Sequence, residues 1–109
     1  VPYKWTSPET LEYGKYTSKS DVYSFGIVLW EIFSFGKLPY PGLTNHETVT
    51  QIIKGFRMEF PENSPIKINK LMKKCWDLNP EERLSFKEIN DELNSIQIEE
   101  GFPEHAYDP

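Results

Sequence analysis

The sequence predicts an all-α fold, and three observations carry that expectation. The stretch Ser18 to Gly36 is apolar on nearly every side at helical spacing, three hydroxyl-x-x-carboxylate sets mark helix starts, and no convincing alternating run marks a strand. The expected arrangement is a central rod with shorter helices packed on it through loops. The pattern alone leaves the topology open.

Val1 to Pro8 carries two prolines and no periodic pattern, so it reads as an ordered extended loop ending at a turn. Leu11 to Tyr16 reads as a short connector with Gly14 inside it. The central helix follows, with Ser18 as its N-cap, Asp21 returning a hydrogen bond to the cap, and Gly36 as its left-handed stop. Val22, Phe25, Leu29, Ile32 and Phe33 share one face of it, and Ile27, Val28 and Trp30 make the other faces apolar too. Only Glu31 interrupts this. The helix is too short and too polar at its start for a membrane span.

Pro39 and Pro41 then fix a loop around Tyr40. Thr44 and Glu47 form a capping box for a second helix, with Val49, Ile52 and Ile53 on one face and Gly55 as its stop. Ser64-Pro65 sets the N-cap and first position of a third helix, where Ile68, Leu71, Met72, Cys75 and Trp76 recur at three- and four-residue intervals. Residues 77–83 form a turn-rich break. Ser85 and Glu88 open a fourth helix with Phe86, Ile89, Leu93 and Ile96 inward.

The 109 residues allow one domain, and 38% hydrophobic content with 15% aromatic residues suffices for a packed core. Of the net charge of -5, residues 98–109 supply four through Glu99, Glu100, Glu104 and Asp108. The remainder is nearly neutral and has no basic run, which argues against nucleic-acid binding. The lone Cys75 cannot form an internal disulfide, and there is no N-x-S/T acceptor or signal-like segment, so a cytoplasmic setting, or the cytoplasmic side of a membrane receptor, is expected. The first residue is Val1 and the first Met is Met58, so the chain is expected to begin inside a longer protein.

No self-contained active site is legible. The glycines are too scattered for a phosphate cradle, and His46 and His105 lack companions at ligand spacing, so no metal site is expected. Ser24 has no adjacent base and is a poor nucleophile. Tyr107 sits in the acidic tail, where a solvated terminus outweighs a phosphorylation site. Tyr13, Tyr16 and Tyr40 fit packing or loop roles.

Four motifs nevertheless stand in order: K-W-T-S-P-E, S-D-V-Y-S-F-G, P-Y-P and C-W-x-x-x-P-x-x-R. Together they resemble the C-terminal half of the large lobe of a protein kinase, which is the mainly helical part of an α+β fold. Trp5 in the first motif and the run W-E-I-F-S-F-G resemble the tyrosine-specific branch. The resemblance covers residues 1–97 as a partial kinase domain and leaves 98–109 as an acidic C-terminal tail.

The resemblance implies roles for particular residues. Ser7-Pro8-Glu9 is similar to the motif that closes the activation segment, with Glu9 paired to Arg83; on the residues alone, Glu9 reads as a cap for the next turn. Asp21 matches an aspartate that anchors the catalytic-loop backbone. Pro2, Tyr3, Lys4 and Trp5 match the loop that positions a peptide, with Pro2 against the substrate tyrosine ring. An ordinary proline-stiffened loop fits the same letters. Trp76 is expected in the core. Two departures stand out: Tyr3 replaces a small branched residue, and Leu84 replaces a proline that usually follows the arginine, which is expected to loosen the last helix's start.

The family's ATP-binding lobe, phosphate-contacting lysine, catalytic loop and D-F-G are not in these residues. The implied function is therefore that of a fragment of a protein-tyrosine kinase. The parent would use ATP and Mg2+ on protein substrates with tyrosine, and this part, without catalytic or metal-binding residues, would be inactive alone. Its implied partner is the missing N-terminal part of the kinase domain. With those helices absent, one flank of the central helix is expected to be bare. The alternative is a noncatalytic interaction module derived from a truncated or degenerate kinase; an unrelated helical domain would need the four motifs by coincidence.

Overall fold

The computed structural model describes residues 2–99. Among these residues five α-helices follow one another, α1 (Pro8–Tyr13), α2 (Ser18–Phe33), α3 (Asn45–Lys54), α4 (Ile66–Cys75) and α5 (Phe86–Glu99), with 3-10 turns at Tyr3–Trp5 and Pro80–Glu82. No strand occurs among the described residues. α4 packs along α2, α5 packs on α4, and α3 closes over α1 and the Tyr3–Trp5 turn.

The core forms where the apolar faces of these helices meet. Val22, Tyr23, Ile27, Leu29 and Trp30 of α2 join Ile68, Leu71, Met72 and Cys75 of α4, with Trp76, Ile52, Ile89 and Ile96 around them. Gly26 lets α2 come close to the end of α4. A Cβ there would lie 2.6 Å from the Trp76 indole nitrogen and 2.7 Å from the Cys75 Cβ. Phe86 stays partly exposed while its ring meets Phe25 edge-on at 6.1 Å.

Several boundaries differ from the expectation. The stretch read as a connector contains α1, a six-residue helix with Pro8 at its start and Gly14 as a left-handed end. The cap of α2 is Thr17, not Ser18, because Thr17 is the residue with extended backbone. Its hydroxyl accepts from Lys19 N–H at 3.1 Å, and Ser20 rather than Asp21 returns the bond, accepting from Thr17 N–H at 3.1 Å. α2 ends at Phe33, and Gly36 (φ 83°) folds the chain back with its N–H on the Glu31 carbonyl.

Ser64 does not cap α4. The extended Pro65 precedes that helix, and the Ser64 hydroxyl donates to the Pro61 carbonyl at 2.8 Å. The bare flank expected of α2 is there: Val28 and Ile32, one turn apart, are 40% and 60% exposed. At the start of α5, after Leu84, Ser85 and Glu88 bond reciprocally at 3.0 and 3.1 Å. α5 takes in Ile98 and Glu99, the first two residues read as tail; Tyr107 and His105 lie outside the described residues.

Candidate functional site

The Pro2–Trp5 loop has two sides. Pro2 and Tyr3 are exposed, whereas Lys4 is buried and Trp5 is half-buried. Lys4 Nζ donates to the Tyr40 carbonyl at 3.1 Å, and the Trp5 indole N–H donates to Glu31 Oε1 at 2.6 Å. From α2, the Ser24 hydroxyl donates to the Trp5 carbonyl at 2.6 Å. The side chains of Lys4 and Trp5 therefore do not face outward as a peptide-contacting set of four would require. Charge-assisted bonds to a carbonyl and a carboxylate hold them inward, and they act as anchors for the exposed pair.

Glu9 meets Arg83 across 74 residues of sequence. Arg83 Nη1 and Nη2 donate to Glu9 Oε2 and Oε1, both at 2.8 Å, in a two-pronged ion pair. The Arg83 side chain is wholly buried and that of Glu9 is 12% exposed. Ser20 adds a hydroxyl bond to Glu9 Oε2 at 2.9 Å. Arg83 also donates to the Asp77 and Lys19 carbonyls, at 2.8 and 2.9 Å, and Lys19 Nζ donates back to the Arg83 carbonyl at 2.6 Å. Burial pushes the Glu9 carboxyl up, but the bonds and charge of Arg83, with Ser20 and the backbone, outweigh it and leave it below its ordinary value.

Asp21 lies on the exposed side of α2's first turn, where its carboxylate accepts the Tyr16 hydroxyl. The structure does not bring Asp21 to the Glu9–Arg83 pair. Cys75 is buried, and burial pushes its thiol up to about 12 against the pull of Arg83, so it is no nucleophile near neutral pH. Among the described residues no three His, Cys, Asp or Glu side chains are grouped to hold a metal ion.

Sequence reasoning missed Glu31, Ser20, Lys19 and the role of Tyr40. Only Glu31 carried a signal, as the one charge in α2 beyond its first turn. Tyr40 sits at φ 48°, and this left-handed backbone presents its carbonyl to Lys4.

The sequence profile described as protein tyrosine and serine/threonine kinase matches residues 1–93. Human tyrosine-protein kinase Fer is 53% identical over 97 residues, covering 89% of this chain and 12% of Fer. Mouse protein-tyrosine kinase 6 is 51% identical over 96 residues, covering 88% of this chain and 21% of that protein. The transforming protein Fps, a tyrosine-protein kinase of avian sarcoma virus strain PRCII, is 47% identical over 97 residues, covering 89% of this chain and 18% of Fps. The chain thus spans only 12 to 21% of the length of these relatives.

Proposed function

The chain belongs to the protein tyrosine and serine/threonine kinase family, and from that premise we propose that the protein carrying it transfers the γ-phosphate of ATP to tyrosine hydroxyls on protein substrates. The tyrosine assignment follows the relatives, which are tyrosine kinases. This segment supplies the peptide side of the reaction. Pro2 lies against the substrate ring and sets its depth, Lys4 and Trp5 hold the loop to the core, Glu9 with Arg83 fixes the end of the activation segment, and Asp21 anchors the catalytic-loop backbone.

The observation that carries this reading is the two-sided loop. A peptide platform needs an outward face on a base that does not move, and Tyr40, Glu31 and Ser24 provide that base at three separate points. The described residues include no set fit to hold Mg2+, so we assign ATP and Mg2+ to residues outside this segment. When bound there, the metal nucleotide supplies the phosphoryl group and neutralises its charge. In this reading the 109 residues need the rest of the kinase domain for phosphoryl transfer. We place the segment in the cytoplasm or on the cytoplasmic side of a membrane receptor, where ATP is available to the protein that carries it.

The test is a phosphotransfer assay of the full-length protein with Mg2+ and ATP on a Glu/Tyr copolymer and on a tyrosine peptide. Phosphotyrosine should form, and Pro2→Ala should raise the peptide KM several-fold with the ATP KM unchanged. Absence of phosphotyrosine would sink the catalytic reading in favour of a noncatalytic module. Equal effects on both KM values would sink the loop assignment alone.

A further inference from the structure

The loop between α2 and α3 contains one residue whose two backbone polar groups are both held by side chains. Tyr40 has a left-handed backbone, φ 48°, between Pro39 and Pro41. A residue other than glycine keeps that conformation only where its surroundings over-determine it. The Tyr40 carbonyl accepts from Lys4 Nζ at 3.1 Å and from the Leu43 N–H at 3.2 Å. Its own N–H donates to the sulfur of Met58 at 3.1 Å.

A thioether sulfur is a weak acceptor, and a methionine in a core ordinarily only fills space. Met58 has a backbone bond to keep and is within reach of small solutes as well. Of the two methionines in the chain, Met72 is fully buried, whereas Met58 is half-buried and lines two open clefts. One cleft includes Trp30, Phe35 and Phe60, and the other Gly55, Lys73 and Leu78. Neither includes Val28 or Ile32, the flank of α2 that this segment leaves bare.

We propose that Met58 is a modification site: a hydroperoxide oxidises it to the sulfoxide, and the oxidation frees the Tyr40 N–H and loosens the hold of Tyr40 on Lys4. The sulfur gives two electrons and the O–O bond breaks. The terminal oxygen bonds to sulfur, and its proton leaves with the other oxygen as an alcohol, or as water when the oxidant is hydrogen peroxide. The product is polar and its acceptor is the added oxygen rather than the sulfur, so the Tyr40 N–H loses its partner or the loop shifts to follow it. Either way the left-handed residue that presents its carbonyl to Lys4 has one hold fewer. Methionine sulfoxide reductases reverse the step. The oxidation and the freed N–H stand on this geometry alone. An effect on peptide binding rests in addition on the role proposed above for the Pro2–Trp5 loop.

The test treats the full-length protein with hydrogen peroxide, maps the products by peptide mass spectrometry and follows amide hydrogen exchange at Tyr40. Met58 should gain one oxygen several-fold faster than Met72. The Tyr40 amide should then exchange several-fold faster and return to its starting rate after treatment with methionine sulfoxide reductases A and B. In Met58→Leu, which has no sulfur to accept the bond, exchange should be fast from the outset and unchanged by peroxide. Equal oxidation of the two methionines, or Met58 left intact, would overturn the site. An unchanged Tyr40 exchange rate in the oxidised protein would overturn the release. In kinetics, peroxide should raise the peptide KM of the wild type several-fold at constant ATP KM, and a rise as large in Met58→Leu would overturn Met58 as its cause. Faster exchange with an unmoved peptide KM would uphold the modification site and sink the loop assignment alone.

Discussion

Fully withdrawn from water, the Arg83 guanidinium answers its own desolvation with two carboxylate bonds to Glu9 and two backbone carbonyls. Removing either partner strands the other, so Arg83→Met or Glu9→Gln should cost about 3 to 5 kcal/mol in chemical unfolding. The pair also writes a pH signature. The folded Glu9 carboxyl titrates below its ordinary value of 4.5. Its contribution is thus fully present above that value and is lost as pH falls through the folded one. Glu9→Gln should flatten the stability profile in that acid window. A variant profile parallel to the wild type there would show that Glu9 is not the titrating group.

At the scale of the helix, the caps discriminate between what the sequence suggested and what the fold uses. Thr17→Ala should destabilise the protein by about 1 kcal/mol, while Ser18→Ala should be close to neutral, as read by denaturant midpoints. Equal losses would mean that the start of α2 is shared. The cores of α3, α4 and α5 were legible because Ile52, Ile68, Leu71, Met72, Ile89 and Ile96 recur at helical spacing. α1 was not, because six residues opened by Pro8 and closed by Gly14 are too few to show a period. Adjacent hydroxyls at Thr17 and Ser18 left the cap ambiguous, since the choice depends on which backbone is extended. The Glu9–Arg83 contact was legible only through the family's motifs. The Trp5–Glu31 bond, 26 residues apart, had no local pattern to announce it.

For the molecule as a whole, the exposed Val28 and Ile32 on α2 mark a flank that this segment does not cover. The isolated 109-residue chain should therefore self-associate and bind an apolar dye. Sedimentation as a dye-free monomer would count against that. The Glu9–Arg83 contact also bears on how the chain is made. Its two ends are 74 residues apart, and closing so long a loop costs about 4 kcal/mol, of the same order as the pair returns. The pair therefore cannot gather the chain and must wait for α2, α4 and the turn before Arg83 to bring it near. During synthesis, at roughly 5 to 20 residues per second, α1 spends several seconds outside the ribosome before its clasp exists. A helix of that length does not persist alone. Until that clasp closes, α1 depends for its order on α3, which packs over it.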